Sequence, residues 1–393
     1  MRPAPLLLTA ALLTGTAVFA VDRFRSSGEA DAQPPAPVLA AAQTTPPPAP
    51  APESEPEPAP EPEPAPEPTP PPLPTSAKVP GIRHEYQRLN NCGPVTVGMA
   101  LSRWGSTLTQ YDIAPKLKPS AGDVNVSPDE LAAYARSQGM DVHLATNGDR
   151  PLLKRLLAAG IPVIVETWFV TPDSGGMGHY RLLTGYDDAA QTFSALDSYL
   201  GPLTVPYGRF DELWRSFGRT FLVVTPPERG AEVQDLLAGR ADPLRAKAEA
   251  LRVALAEAER RQDAVGWFNV GHAKLALGDA RGAARAFDQA FAAQPDLALD
   301  PTRPARVVGG LPWRATWYSF GPFEAYLRTG RNADVLRLTG HILRDVPTHE
   351  EAHYWRGRAL SALGRTAEAQ AAYRKALRLR PGFAAARTEL GRS

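Results

Sequence analysis

Cysteine is almost missing from this chain: Cys92 is the one thiol in 393 residues. That excludes an internal disulfide, and it excludes a zinc site built from several thiolates. An excess of charge is missing too, since 43 Lys and Arg face 42 Asp and Glu, for a net charge of +1. The balance gives no electrostatic ground for binding nucleic acid or an anionic membrane surface. No nucleotide-binding glycine loop and no metal-ligand spacing occurs, so neither a cofactor nor a metal is expected. The N-terminal apolar run, Leu6 to Val21, falls short of the roughly 20 residues a spanning helix needs.

That run is better read as an export signal. Arg2 precedes it, and Val18-Phe19-Ala20 has the small-residue pattern before a cleavage site. Residues 1–21 are therefore a signal peptide or, with Arg23 and Arg25 following at once, a retained membrane anchor. No cysteine lies near its end, so a lipoprotein anchor is not expected. The expected location is outside the cytoplasm, in the periplasm, at the cell surface or secreted. There a lone free thiol is unusual, because exported proteins tend to pair their cysteines or lack them.

Proline is abundant instead, at 41 residues, and clustered. From Pro34 to Pro74 the chain offers almost nothing to bury, so it cannot build a core. Alternating Pro and Glu favours extended polyproline II, with a reach on the order of 120 Å. Residues 22–80 are read as this linker.

From residue 81 to about 228 the pattern is mixed. Val97, Ala100, Leu101 and Trp104 mark one helical face, stopped by Gly105. Ser127-Pro128-Asp129-Glu130 is a capping box whose helix ends at Gly139, and Leu152 to Ala159 is a short helix closed by Gly160. Strands are expected at Ile161–Val165, His179–Tyr186, Thr192–Leu196, Leu203–Pro206 and Thr220–Val224. Helices come mainly first and strands later, an α+β order.

From residue 229 to 393 the chain is helical and repeats itself. Trp267, Gly271, Gly278, Ala283, Phe287, Ala290 and Pro295 fall on the tetratricopeptide spacing, and Gly357, Gly364, Ala369, Tyr373, Ala376 and Pro381 fall on it again. Tyr326, Gly330, Val335, Ile342 and Pro347 make a weaker copy, after an insertion around Pro301 to Pro312. Such arrays present a concave face to peptides or proteins, so a partner on that face is expected.

The chemistry centres on Asn91-Cys92-Gly93-Pro94. Pro94 suits a first helical turn, which sets Cys92 at a helix N-terminus, where free N–H groups favour a thiolate. Gly93 leaves room for a substrate backbone, the Cys92 N–H can face a developing oxyanion, and Gln87 offers a second donor. Of seven histidines, His179 stands out. A hairpin turning at Asp187-Asp188-Ala189-Ala190 and centred on residue 188 would set His179 opposite Asp197, whose carboxylate would fix the imidazole tautomer. Alone, each residue is explained by packing; together they describe an activated nucleophile.

Gln87, Cys92-Gly93-Pro94, then Gly178-His179-Tyr180 running into Leu183-Thr184-Gly185-Tyr186-Asp187-Asp188, and then Asp197, resemble the bacteriocin-processing type of papain-like cysteine peptidase. The resemblance implies an α+β papain-like cysteine peptidase domain followed by an all-α tetratricopeptide-repeat solenoid. It implies Cys92 as nucleophile, His179 as base, Asp197 as its orienter and Gln87 in the oxyanion hole. The substrate class it implies is a peptide or protein. One departure is Ser198, where the family often has proline after the aspartate. Transfer of the acyl group to an amine rather than to water, and a binding module without catalysis, stay open beside hydrolysis.

Overall fold

The computed structural model describes residues 72–119, 123, 125–169, 177–293, 311 and 315–392. The signal or anchor, the Pro/Glu linker up to residue 71, the loop 172–176 and nearly all of the insertion at 301–312 lie outside the described residues. Among the described residues no helix is long and apolar enough to cross a membrane.

In chain order the first half holds β1 (Ser76–Lys78), α1 (Cys92–Ser102), α2 (Gln110–Leu117), α3 (Pro128–Ser137), β2 (Asp141–Ala145), α4 (Arg150–Ala158), β3 (Val163–Phe169), β4 (Met177–Asp187), β5 (Thr192–Asp197), β6 (Gly201–Pro206), α5 (Tyr207–Arg215), β7 (Phe221–Thr225) and α6 (Gly230–Leu237). The strands form one antiparallel sheet in the order β2-β7-β3-β4-β5-β6, with β1 also on β4. Both faces are covered, so β7 is buried at every residue and β3 at all but one. Val163 and Val165 pack with α4, α5 and α6 on one face; Ile164 packs with α1, α2 and α3 on the other.

Local chemistry explains the helix ends. Ser127 and Glu130 close the capping box of α3, Asp149 caps α4, and Gly105, Gly139 and Gly160 take positive φ after α1, α3 and α4. The single apolar face expected for α1 is a correction: every residue from Gly93 to Leu101 is buried, because α2, α3 and the sheet enclose it.

The hairpin register is also corrected. Arg181, not His179, pairs with Asp197, and Asp187 pairs with Thr192. The register slips between Leu183 and Gly185, where Thr184 is the extra residue of a bulge. Gly185 is required there, since a Cβ would stand 2.5 Å from the Ala77 carbonyl of β1.

Two boundaries move. β1 lies before residue 81, so the sheet begins inside the expected linker; three residues between Pro74 and Pro80 carry no periodic signal. At the other end Val233 and Leu237 of α6 join the core that holds Trp214 and Phe221, although their composition matches the repeats.

The second half holds α7 (Pro243–Arg261), α8 (Ala264–Ala276), α9 (Ala280–Ala293), α10 (Ala315–Tyr318), α11 (Gly321–Arg328), α12 (Asn332–Asp345), α13 (Glu350–Ala362), α14 (Thr366–Leu379) and α15 (Ala384–Arg392). Gly271 admits Phe287, and Gly357 admits Tyr373: a Cβ at either glycine would meet the ring at 2.5 Å. The middle pair inverts the sizes, with Phe323 and Thr339 at the matching positions, both fully buried. That inversion makes the middle copy weak in sequence.

Ion pairs tie the second half to the sheet domain at both of its ends. Arg215 bonds Glu257 of α7 and Asp263 at 2.9 Å, and Arg219 bonds Glu257 at 2.8 Å. Arg380 pairs with Glu130. The repeats therefore contact the chain's own first half through α7, the start of α8 and the end of α14. A cavity of about 620 Å³ remains between them, lined by Phe217, Phe268, Phe320, Trp355 and Phe383 among others.

Candidate active site

Cys92 is the first residue of α1, preceded by Asn90 at φ 58° and the N-cap Asn91. Burial opposes its ionisation. The His179 hydrogen bond and charge, with backbone N–H groups of Tyr180 and Gly93, outweigh that and hold the thiol below its ordinary value. The role expected for Gly93 is corrected. A Cβ there would lie 3.3 Å from Val126 and close to Leu131 and Tyr180, so the glycine admits protein packing rather than substrate.

His179 near the start of β4 is 2 % exposed. Its Nε2 lies 3.0 Å from Asp197 Oδ1, which leaves Nδ1 for the sulfur of Cys92. Burial would lower the imidazole; the Asp197 hydrogen bond and the Cys92 contact hold it above its usual value. The pair is diagonal across the hairpin rather than directly opposed. The Thr184 bulge preserves the shared face, since without it the register near the turn would point Asp197 to the other side. The Phe169 ring packs against the imidazole with centroids 4.2 Å apart.

Asp197 is fully buried. Burial raises a carboxyl, but His179, Arg181 and the Leu200 N–H hold this one well below the usual range. Arg181 Nε donates to Oδ2 at 2.8 Å, while the Tyr199 and Leu200 N–H groups donate to Oδ1 at 2.8 and 2.9 Å. Both carboxylate oxygens are thus held, and Oδ1 is fixed where the imidazole meets it.

Gln87 lies in the loop before α1, tied to the β5–β6 turn by its N–H on the Ser198 carbonyl at 2.7 Å. Ser198 Oγ donates to Gln87 Oε1, also at 2.7 Å. With the amide oxygen held, the amide NH₂ is left to face the cavity. The residue that departs from the family pattern therefore orients the expected oxyanion donor.

Gln87, Cys92 and His179 line one cavity of about 270 Å³. Sequence reading missed two of its walls. Glu166 of β3 lies beside Gly178, and burial followed by the Cys92 charge pushes its carboxyl up to about 8. Tyr318 of α10 comes from the repeat half. Both residues also line the larger interdomain cavity. Neither had a local signal, because each is defined by what folds over it. Among the described residues, the one group with metal-ligand spacing, His349 with Glu350 and Glu351, lies in the repeats rather than here.

One antiparallel sheet with helices on both faces thus brings together a thiol at a helix start, a histidine and a buried aspartate. Residues 77–221 match the model of the Peptidase_C39 like family, and residues 350–383 match that of the tetratricopeptide repeat. Among solved structures, the chain is similar to a putative C39-like peptidase from Bacillus anthracis (16 % identity, 38 % of this chain and 97 % of that one, TM-score 0.33). It is similar to the peptidase domain of Streptococcus ComA (15 % identity, 37 % and 98 %, TM-score 0.31). It is also similar to MamA from Desulfovibrio magneticus RS-1 (20 % identity, 41 % and 79 %, TM-score 0.30). A search of curated proteins finds no match.

Proposed function

We propose that the chain is an exported cysteine peptidase that cleaves peptide bonds of a peptide or protein. The observation that carries this reading is the run of contacts from Cys92 through His179 to Asp197, with Gln87 on the same cavity wall. The Cys92 thiolate attacks the scissile carbonyl carbon. The carbonyl oxygen takes the charge and is met by the Gln87 amide and the Cys92 N–H. His179, protonated in the resting ion pair, gives its proton to the leaving amine. Water, deprotonated by the same imidazole, then adds to the thioester; the tetrahedral adduct expels the Cys92 thiolate, the acid product leaves and the thiolate–imidazolium pair is restored. Asp197 keeps the ring in the tautomer that presents Nδ1 to sulfur.

The repeats act in this reading by closing the cleft. A substrate strand entering the 270 Å³ cavity passes Glu166 and Tyr318 into the aromatic-lined space of about 620 Å³, where apolar side chains would seat. Export rests on the N-terminal apolar run.

The test is to incubate the full chain with a proteome-derived peptide library and map new N-termini by mass spectrometry beside Cys92→Ala. New termini made by the parent and absent with the variant are expected. The same termini from both would sink the reading.

A further inference from the structure

The catalytic cavity carries an acid that the chain leaves unanswered. Among the described residues its lining has one carboxyl, Glu166, and no lysine or arginine. Glu166 is 7 % exposed, and among the described residues neither of its oxygens takes a hydrogen bond. Other acids along the seam are answered: Glu257 has Arg215 and Arg219, and Glu130 has Arg380. The charge that Glu166 does feel is that of Cys92, which has the same sign. An acid this buried, beside a thiolate and without a cation of its own, is costly until a positive group arrives.

Its surroundings say what kind of group fits. β3 sets Glu166 opposite Tyr180 of β4, and strand alternation puts Gly178 on the same face. A Cβ at Gly178 would stand 3.3 Å from Glu166 Oε1 and 3.3 Å from the Phe217 ring, so the carboxyl and the ring lie side by side over bare backbone. Glu166 and Tyr318 are also the two described residues that line both cavities. The carboxyl therefore sits where the space beside Cys92 opens into the aromatic-lined one. A group suited to this place has a positive head for the carboxyl and an apolar stem for the rings, which describes a lysine or arginine side chain. A free α-ammonium has the charge without the stem.

We propose that Glu166 recognises a basic side chain of the substrate, seated beside Cys92 at the mouth of the interdomain cavity. The inference rests on the peptidase reading and narrows its substrates to peptides with lysine or arginine near the cleaved bond. The incoming head ionises the carboxyl: the proton that Glu166 holds below about 8 leaves to solvent, and an ion pair takes its place.

Cys92 is the chain's one thiol, so small thiol reagents report the charge at the site whether or not peptides are cleaved. The full chain and Glu166→Gln are reacted with methanethiosulfonates bearing an ammonium, no charge or a sulfonate, from about pH 6.5 to about 9. Cys92, His179 and Tyr318 are common to both proteins and cancel in the comparison, and burial keeps the Tyr180 hydroxyl neutral throughout. On the alkaline side the ratio of ammonium to neutral rates should be at least about tenfold higher in the parent than in Glu166→Gln, with the sulfonate slowed instead. Glu166→Met serves if Glu166→Gln fails to fold. In a second arm both proteins meet the peptide library. New termini should carry lysine or arginine at one fixed position from the cut, and that preference should fall about tenfold with the substitution. Equal charge ratios in parent and variant, cuts without a basic preference, or a preference that survives the substitution would each overturn the assignment. No cuts at all, beside a charge ratio that depends on Glu166, would uphold the cation site and overturn the peptidase reading alone.

Discussion

At the scale of single residues, Ser198 decides which end of the Gln87 amide faces Cys92. Its hydroxyl holds the oxygen, so the nitrogen is presented. Gln87→Ala should lower turnover by about 10²–10³, the usual cost of one oxyanion donor. Ser198→Ala frees the amide to rotate without removing it, and a loss of about tenfold is expected. Neither change touches the thiol–imidazole pair, so iodoacetamide should alkylate Cys92 in both variants at the parental rate. A slower alkylation would mean that the loop itself had moved. Glu166 makes a separate prediction through pH. Below about 7 its carboxyl is protonated and silent; above about 8 it ionises and opposes the neighbouring thiolate. Glu166→Gln should therefore alkylate faster than the parent only on the alkaline side. Equal rate–pH profiles would show that this carboxyl does not feel Cys92.

Among the elements, α6 belongs by composition to the repeats and by packing to the sheet. Leu237 is fully buried in the core with Trp214 and Phe221. A fragment ending at Arg229 removes it and should melt early or aggregate, whereas one ending at Ala241 keeps it and should fold. Leu237→Ala in the full chain should cost about 2–5 kcal/mol, read by denaturant unfolding. The same contrast explains what was legible beforehand. The start of α1, the capping box of α3 and the glycine stops are local chemistry, and sequence is enough to read them. The strands were legible as short apolar runs. α2 was missed because Pro115 reads as a breaker, although Thr109 and Asp112 spell its capping box. The hairpin register was missed by two residues because the turn centres between residues 189 and 190 rather than on 188, an offset of three that the bulge brings back to two. His179 and Asp197 were still found together, since a two-residue slip keeps the same face. Tyr318, Glu166 and Ser198 were not legible: their positions follow only from tertiary contact.

Across the two halves, one buried acid, Glu257, serves two arginines of the sheet domain. Arg215 and Arg219 both lean on it, and Arg215 also grips Asp263. Glu257→Ala leaves Arg215 to Asp263 and Arg219 to Asp211 alone, and should cost about 1.5–3 kcal/mol. It should also split one thermal transition into two, as the repeats come free before the sheet melts; a single unshifted transition would show that the joint lies elsewhere. The wall formed by Tyr318 has a consequence in time. A ribosome delivers Gln87, Cys92, His179 and Asp197 well before Tyr318, and Arg380 last of these. At about 5–20 residues per second, the nucleophile and its partners precede the far wall by on the order of ten seconds. A message cut short after α6 would therefore specify a complete set of reacting groups behind an open doorway, and a less choosy enzyme than the finished chain.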